Sequence, residues 1–198
     1  MSGEALGDAA LDQLFREGRS YNGWLDRDVT EKQIHAIHAL MKMGPTSANQ
    51  QPARLVWCKS AEAKERLASH AMEGNKKKIR TAPVCVIVGM DLDFHEQLPW
   101  LFPHTDARSW FASDAEARRI QAFRNSSLQG GYLIMAARAL GLDCGPMSGF
   151  DNAAVDAEFF GDETNWKSNF ICAIGYGDPA SIFGRSPRPE FDVFNRVL

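Results

Sequence analysis

The residues best suited to chemistry lie in short polar stretches between apolar ones. Gly44-Pro45-Thr46-Ser47-Ala48-Asn49-Gln50-Gln51-Pro52 packs hydroxyls and amides into one turn. Amides both donate and accept, so such a turn suits a flat heterocycle edged with carbonyls and ring nitrogens. A capped turn that satisfies its own backbone is the alternative. Arg19-Ser20-Tyr21-Asn22 forms a second group. Asn75 and Lys78 are spaced to share one face of a helix, although a lysine is by type a surface residue. Gly145-Pro146-Met147-Ser148-Gly149-Phe150-Asp151 reads as a tight turn from a strand end into a helix, whose free N–H groups can bind an anion or a ring nitrogen. Gly175-Tyr176-Gly177 and Arg185-Ser186-Pro187-Arg188 complete the set. Arg19 and Arg188 read equally well as solvated charges.

Several self-contained catalytic motifs are missing. The sequence has no Gly-x-Gly-x-x-Gly after a strand, no Walker loop, no His-Glu-x-x-His and no Gly-x-Ser-x-Gly. Cys58, Cys85, Cys144 and Cys172 are far apart, so no metal site is expected. An enzyme built on this chain would therefore carry its reaction on a bound organic cofactor. The 198 residues fit one domain over the whole chain, at 44% hydrophobic and 24% charged. A net charge of -3 argues against a nucleic-acid partner. Lys76-Lys77-Lys78 with Arg80 is too short for a basic tail. The start, Met1-Ser2-Gly3-Glu4, lacks a cationic flank, and no apolar stretch approaches the roughly 20 residues that cross a bilayer. Buried free thiols fit a reducing compartment, so a cytoplasmic protein is expected.

The elements that position these groups can be read from periodicity and caps. Leu11, Leu14 and Phe15 predict a helix over 6–17. Thr30 and Gln33 form a capping box for a helix ending at Gly44-Pro45, with Ile34, Ile37 and Met41 inward and His38 half-buried beside them. Arg54–Cys58 reads as a strand, and Ser60 caps a helix to about Met72. Pro83–Met90 is a valine-rich run suited to a strand buried on both faces. A looser aromatic region follows over Asp91–Ser113. Ser113 and Glu116 predict the cap of a long helix to Leu140, closed by Gly141. Leu142–Pro146 and Phe170–Tyr176 read as strands, with an Asp151-capped helix to Phe160 between them. Gly130-Gly131 inside the long helix marks either a close approach to another helix or planar ligand, or else a kink or an early helix end.

In order and spacing these clusters resemble the FMN-dependent nitroreductase family across nearly the whole chain. The Pro45 to Pro52 loop is similar to the family's Pro-Ser-Ser-x-Asn-x-Gln-Pro loop. Ala139-Leu140-Gly141-Leu142-Asp143, running on to Pro146-Met147-Ser148-Gly149-Phe150-Asp151, resembles its flavin-facing turn. Leu101–Phe111 and Phe123-Arg124-Asn125-Ser126-Ser127 resemble one subgroup, the malonic semialdehyde reductases of pyrimidine degradation.

The resemblance implies an α+β fold, a central mixed sheet flanked by helices, in an intertwined homodimer with FMN at the interface. It places Arg19 and Arg185 at the FMN phosphate, and Ser20 and Asn22 near the ribityl chain and pyrimidine ring. Pro45, Thr46, Ser47 and Asn49 would reach the flavin from the partner subunit. Asn75 and Lys78 would sit at its pyrimidine edge, and Met147, Ser148 and Gly149 at the N5 side. Many relatives carry a basic residue where this chain has Asn22, which leaves charge balance at N1–O2 mainly to Lys78. NADH or NADPH would deliver hydride to N5 and then give way to the acceptor, a ping-pong sequence. Of the acceptors, 3-oxopropanoate reduced to 3-hydroxypropanoate fits the subgroup, with Arg108 clamping its carboxylate and His104 donating a proton. Alternatively Arg108 pairs with Asp106 or packs on Trp110. The competing readings are a broad nitroarene or quinone reductase, and a non-enzymatic flavin-binding regulator or partner.

Overall fold

The valine-rich run forms strand β2 (Val84–Asp91), buried at every position. One side of β2 pairs with β1 (Ala53–Cys58), the other with β4 (Trp166–Gly175), and β4 pairs in turn with β3 (Asp143–Met147). The order is β1-β2-β4-β3, and all three ladders are antiparallel. Among the described residues, parallel pairing enters through the isolated bridge between Ser20 and Cys144, on the outer edge of β3. In this sense the sheet is mixed. The structure, a computed structural model, describes residues 3–162 and 164–198.

Helices cover both faces. The first, α1 (Asp8–Leu11), widens into a π turn over Asp12–Arg16, and Arg16 bridges Asp8 and Asp12. Helix α2 (Glu31–Met41) starts at the Thr30–Gln33 capping box. Helices α3 (Ala61–Ser69) and α4 (Glu73–Thr81) lie on the opposite face of the sheet from α2. There Leu67 and Ile79 join Cys85, Ile87 and Ile171 in one core. The segment after β2 is less loose than expected: it holds a 3-10 turn (Phe94–Gln97), α5 (Leu98–Leu101) and α6 (Ser109–Ala112), over a small core of Phe94, Leu98, Ala107 and Ala122.

The long helix is α7 (Ala115–Ala139), and it packs with α2 against Val84, Val86, Val88 and Ile174. Its cap is Asp114, not Ser113. Asp114 has the extended backbone an N-cap needs and accepts from the Ala117 N–H at 2.9 Å, whereas Ser113 is itself helical and closes α6. Gly141 ends the helix at φ +74°, as a C′ glycine does. Helix α8 (Asn152–Phe159) is capped by Asp151 and adds Val155 to the α3–α4 face. Strand β4 begins at Trp166, ahead of the expected Phe170, because β2 continues to pair with it past a bulge at Val88–Gly89. The last helical turn is α9 (Phe191–Phe194).

The glycine pair does not kink α7. A Cβ on Gly130 would lie 2.4 Å from the Phe170 ring, so the close approach is to the sheet rather than to a helix or ligand. Gly131 faces open space. All four cysteines are free and buried, and desolvation raises the Cys58 and Cys85 thiols to about 11 and about 12. Such thiols are inert packing groups. Among the described residues no helix is long and apolar enough to cross a membrane, and no acid, histidine or cysteine cluster could hold a metal.

Candidate functional site

One cluster of polar residues follows the outer edge of β3. The Tyr21 N–H donates to the Cys144 carbonyl at 3.0 Å, laying Arg19–Asn22 along that edge. Arg185 donates to the carbonyls of Arg16 (2.6 Å) and Gly18 (3.3 Å), and Arg19 donates to the Phe183 carbonyl. The two guanidinium groups are thus drawn to one end of the strand by backbone straps. Asn22 donates to the Ser181 carbonyl at 3.3 Å. Asn22 and Ser181 open onto a cleft of about 710 Å³ whose walls also include Trp24, Lys77, Lys78 and Phe183.

Lys78 reaches this cleft from α4 across Gly145, where a Cβ would lie 3.1 Å from the lysine chain and 2.5 Å from the Tyr21 carbonyl. Only a residue without a side chain lets the three segments meet. Lys78 is 8% exposed, and no ion pair forms at it among the described residues. Burial is the first cause lowering its pKa, and no carboxylate offsets it. Further along, Asn75 donates to the Gly149 carbonyl at 3.0 Å, and the Met72 N–H does so at 2.9 Å. This fixes the turn that carries Ser148 and Gly149. The Met147 side chain is 7% exposed and belongs to the same core as Ala71 and Phe150, which leaves its main chain as the part able to meet a ligand. From Cys144 to Gly149 the chain spans no more than about 18 Å. Arg19, Arg185, Lys78, Asn75 and Gly149 are thus all anchored along this one strand edge.

The Pro45–Asn49 residues lie elsewhere, before β1 at the opposite sheet edge. Three strand spacings, about 14 Å, separate the two edges. The loop is backbone-strained, with Ala48, Asn49 and Gln51 at φ 48°, 49° and 41°. Pro45, Ser47 and Asn49 are exposed and Thr46 is half-buried. Two buried amides of α7 hold the loop: Asn125 accepts from the Ser47 N–H at 2.9 Å, and Gln129 donates to Gln51 at 2.6 Å. Gln129 was not foreseen as a site residue. Its signal was an amide one helical turn after Asn125, on a face that is otherwise apolar.

Arg108 pairs with neither Asp106 nor Trp110. It forms a two-pronged ion pair with Glu96, at 2.7 Å on both arms. That pairing holds the Glu96 carboxyl below its usual range. His104 is exposed and packs edge-on against Phe102. The segment bearing them touches the Pro45–Pro52 loop, where Asn49 donates to the Leu101 carbonyl at 2.8 Å.

Residues 16–176 match the family model described as the nitroreductase family. A Burkholderia lata protein is 59% identical over 192 residues, 97% of this chain and 98% of its own length. Its name marks it as a candidate NADH dehydrogenase/NAD(P)H nitroreductase. A Stenotrophomonas maltophilia relative with the same name is 56% identical over 98% of both chains. In fold, a candidate nitroreductase from Exiguobacterium sibiricum solved in complex with FMN superposes with a TM-score of 0.84 at 19% identity, over 99% of this chain and all of that one. A candidate NAD(P)H:FMN oxidoreductase from Staphylococcus epidermidis gives 0.85 at 18%, over 100% and 99%.

Proposed function

Because the chain belongs to the nitroreductase family, we propose that it is an FMN-dependent NAD(P)H oxidoreductase that works as a homodimer. The observation that carries this reading is Lys78, a buried cation with no counter-charge at the floor of a cleft. A desolvated ammonium without a partner is costly unless an electron-rich ligand completes it. The remaining residues fit FMN in the same sense. Arg19 and Arg185 are each tied to the backbone beside the other, next to the cleft-lining Phe183, an arrangement suited to a phosphate. Asn22 lines the cleft with Ser20 two residues before it, and Gly145 and Gly149 let Lys78 and Asn75 pack directly against the β3 edge, where the pyrimidine side of a flavin would lie.

FMN, when bound, would supply the redox chemistry, taking hydride from NADH or NADPH and passing it to an acceptor. The chain's part is to hold and bias that cofactor. Lys78 would favour the reduced, anionic form by placing positive charge at the ring edge. The Ser148–Gly149 turn, braced by Asn75 and Met72, would present main-chain N–H groups at a fixed position. Pro45, Thr46, Ser47 and Asn49 lie across the sheet at its other edge and would reach FMN from a second copy.

Two acceptor classes divide the finer reading. Reduction of 3-oxopropanoate to 3-hydroxypropanoate is favoured by the likeness of Leu101–Phe111 to that subgroup. A broad nitroarene or quinone reductase is favoured by Arg108, whose fork is already filled by Glu96. The test is to purify the protein, record its visible spectrum, and titrate it with NADH and with NADPH. Turnover is then measured on the semialdehyde and on a nitroaromatic, for wild type and Arg108→Ala. A carboxylate clamp predicts a KM increase of tenfold or more for the semialdehyde alone. Equal effects on both acceptors remove the clamp, and a colourless protein that binds no FMN removes the oxidoreductase reading.

A further inference from the structure

A one-way chain of amides joins the interior of α7 to the segment that carries Trp100, Phe102, His104 and Arg108. It starts at the Ala53 N–H, which donates to Gln129 Oε1 at 2.8 Å. That fixes the Gln129 amide, so its Nε2 donates to Gln51 Oε1 at 2.6 Å. Gln51 Nε2 then donates to Asn49 Oδ1 at 3.0 Å, and Asn49 Nδ2 donates to the Leu101 carbonyl at 2.8 Å. The polarity is forced from both ends, because a backbone N–H can only donate and a backbone carbonyl can only accept. Any amide turned the wrong way would set two like groups face to face.

The links are unusual for their places. Gln129 is 3% exposed inside a helix, on a side that faces the strained loop. Leu101 ends α5, whose last carbonyls lack a partner within so short a helix. Asn49 spends its side chain on this carbonyl from a left-handed backbone position. Backbone strain of this kind persists only where surrounding contacts over-determine it.

We infer that Gln129 is a positioning residue: through Gln51 and Asn49 it holds the 98–111 segment against the Pro45–Pro52 loop and so sets which acceptor reaches the flavin. The assignment of that loop to a flavin site rests on the function proposed above; the relay itself does not.

The experiment measures hydrogen-exchange protection of 98–111 in the purified protein, with flavin content read from the same samples. Gln129→Glu keeps the acceptor for the Ala53 N–H and removes the donor to Gln51. Its ionised form should lower protection of 98–111 at least tenfold while protection of 53–58 stays within twofold of wild type. Protonating that glutamate restores an O–H donor, so protection, corrected for intrinsic exchange, should return as pH falls through its titration. A general loosening by the buried charge would lower protection of 53–58 as well. Asn49→Gly, at an exposed position that tolerates glycine's left-handed backbone, should open the same segment without disturbing the core. Protection within twofold of wild type in either variant overturns the inference, as does an opening of Gln129→Glu that ignores pH. A wild type without bound flavin sinks the proposed function instead, and leaves the exchange comparison standing.

Discussion

Lys78 is the residue at which stability and the proposed flavin binding would be traded. Its side chain is buried and its ammonium, at the cleft wall, has no counter-ion, so the folded chain bears a partial desolvation cost that an electron-rich ligand would relieve. Lys78→Met keeps the length of the side chain and removes the charge. The ligand-free protein should gain about 1 kcal/mol, or roughly 2–4 °C in Tm for a chain of this size. FMN affinity should fall by about tenfold to a hundredfold, the worth of a charge-assisted contact. The pH dependence has a definite sign. The folded-state pKa lies below the ordinary 10.5, so the cost is complete while lysine is charged in both states. It fades as pH rises through the folded value and is gone above 10.5. The stability gap between variant and wild type should therefore be widest near neutral pH and close above about pH 10. A gap that widens with pH, or tighter flavin binding by the variant, contradicts the role given to Lys78. This residue was legible as a candidate from its spacing to Asn75, but its burial was not. Nothing local to 75–78 says that Gly145, some seventy positions away, has given up a side chain to admit it.

At the scale of elements, the sequence was most readable where one local signal decided the outcome. The Thr30–Gln33 box, the Ser60 and Asp151 caps, the Gly141 terminus and the valine-rich β2 all appear as periodicity and capping demand. Reading failed where a neighbour competed. Asp114 takes the cap from Ser113 because α6 runs up to it, and β4 starts early because β2 reaches beyond the bulge. The glycine pair in α7 is the sharpest case, since two adjacent and chemically identical residues stand in opposite environments. Gly131→Ala should stabilise by up to about 1 kcal/mol, because the helix gains propensity and nothing is struck. Gly130→Ala gains the same propensity but drives a methyl to 2.4 Å from the Phe170 ring. It should destabilise by about 1–3 kcal/mol. Urea denaturation of both variants checks the pair, and a shared sign would mean that α7 sits further from the sheet than described.

For the whole molecule, the division of the site residues between two sheet edges is what the sequence could not display. Spacing along the chain places Asn49 as near to Lys78 as to Asn22, yet the strand order β1-β2-β4-β3 sends the first to one edge and the others to the opposite one. Under the proposed homodimer, each site takes Arg19, Lys78 and Gly149 from one chain and Thr46, Ser47 and Asn49 from the other. Complementation separates this arrangement from a site built within one chain. Lys78→Met damages one half, and Ser47→Trp blocks the other at an exposed position with little risk to folding. Each variant alone should bind little flavin. In an equimolar co-refolded mixture, half of the dimers pair one variant with the other, and each such dimer holds one site free of both changes. About a quarter of the wild-type flavin content should therefore return, by the statistics of a two-fold assembly. If both halves of a site lay on the same chain, every site in the mixture would carry a lesion and no flavin would be recovered. Titrating the ratio of the two variants adds a second check, because recovery should peak at equal amounts and vanish at both ends.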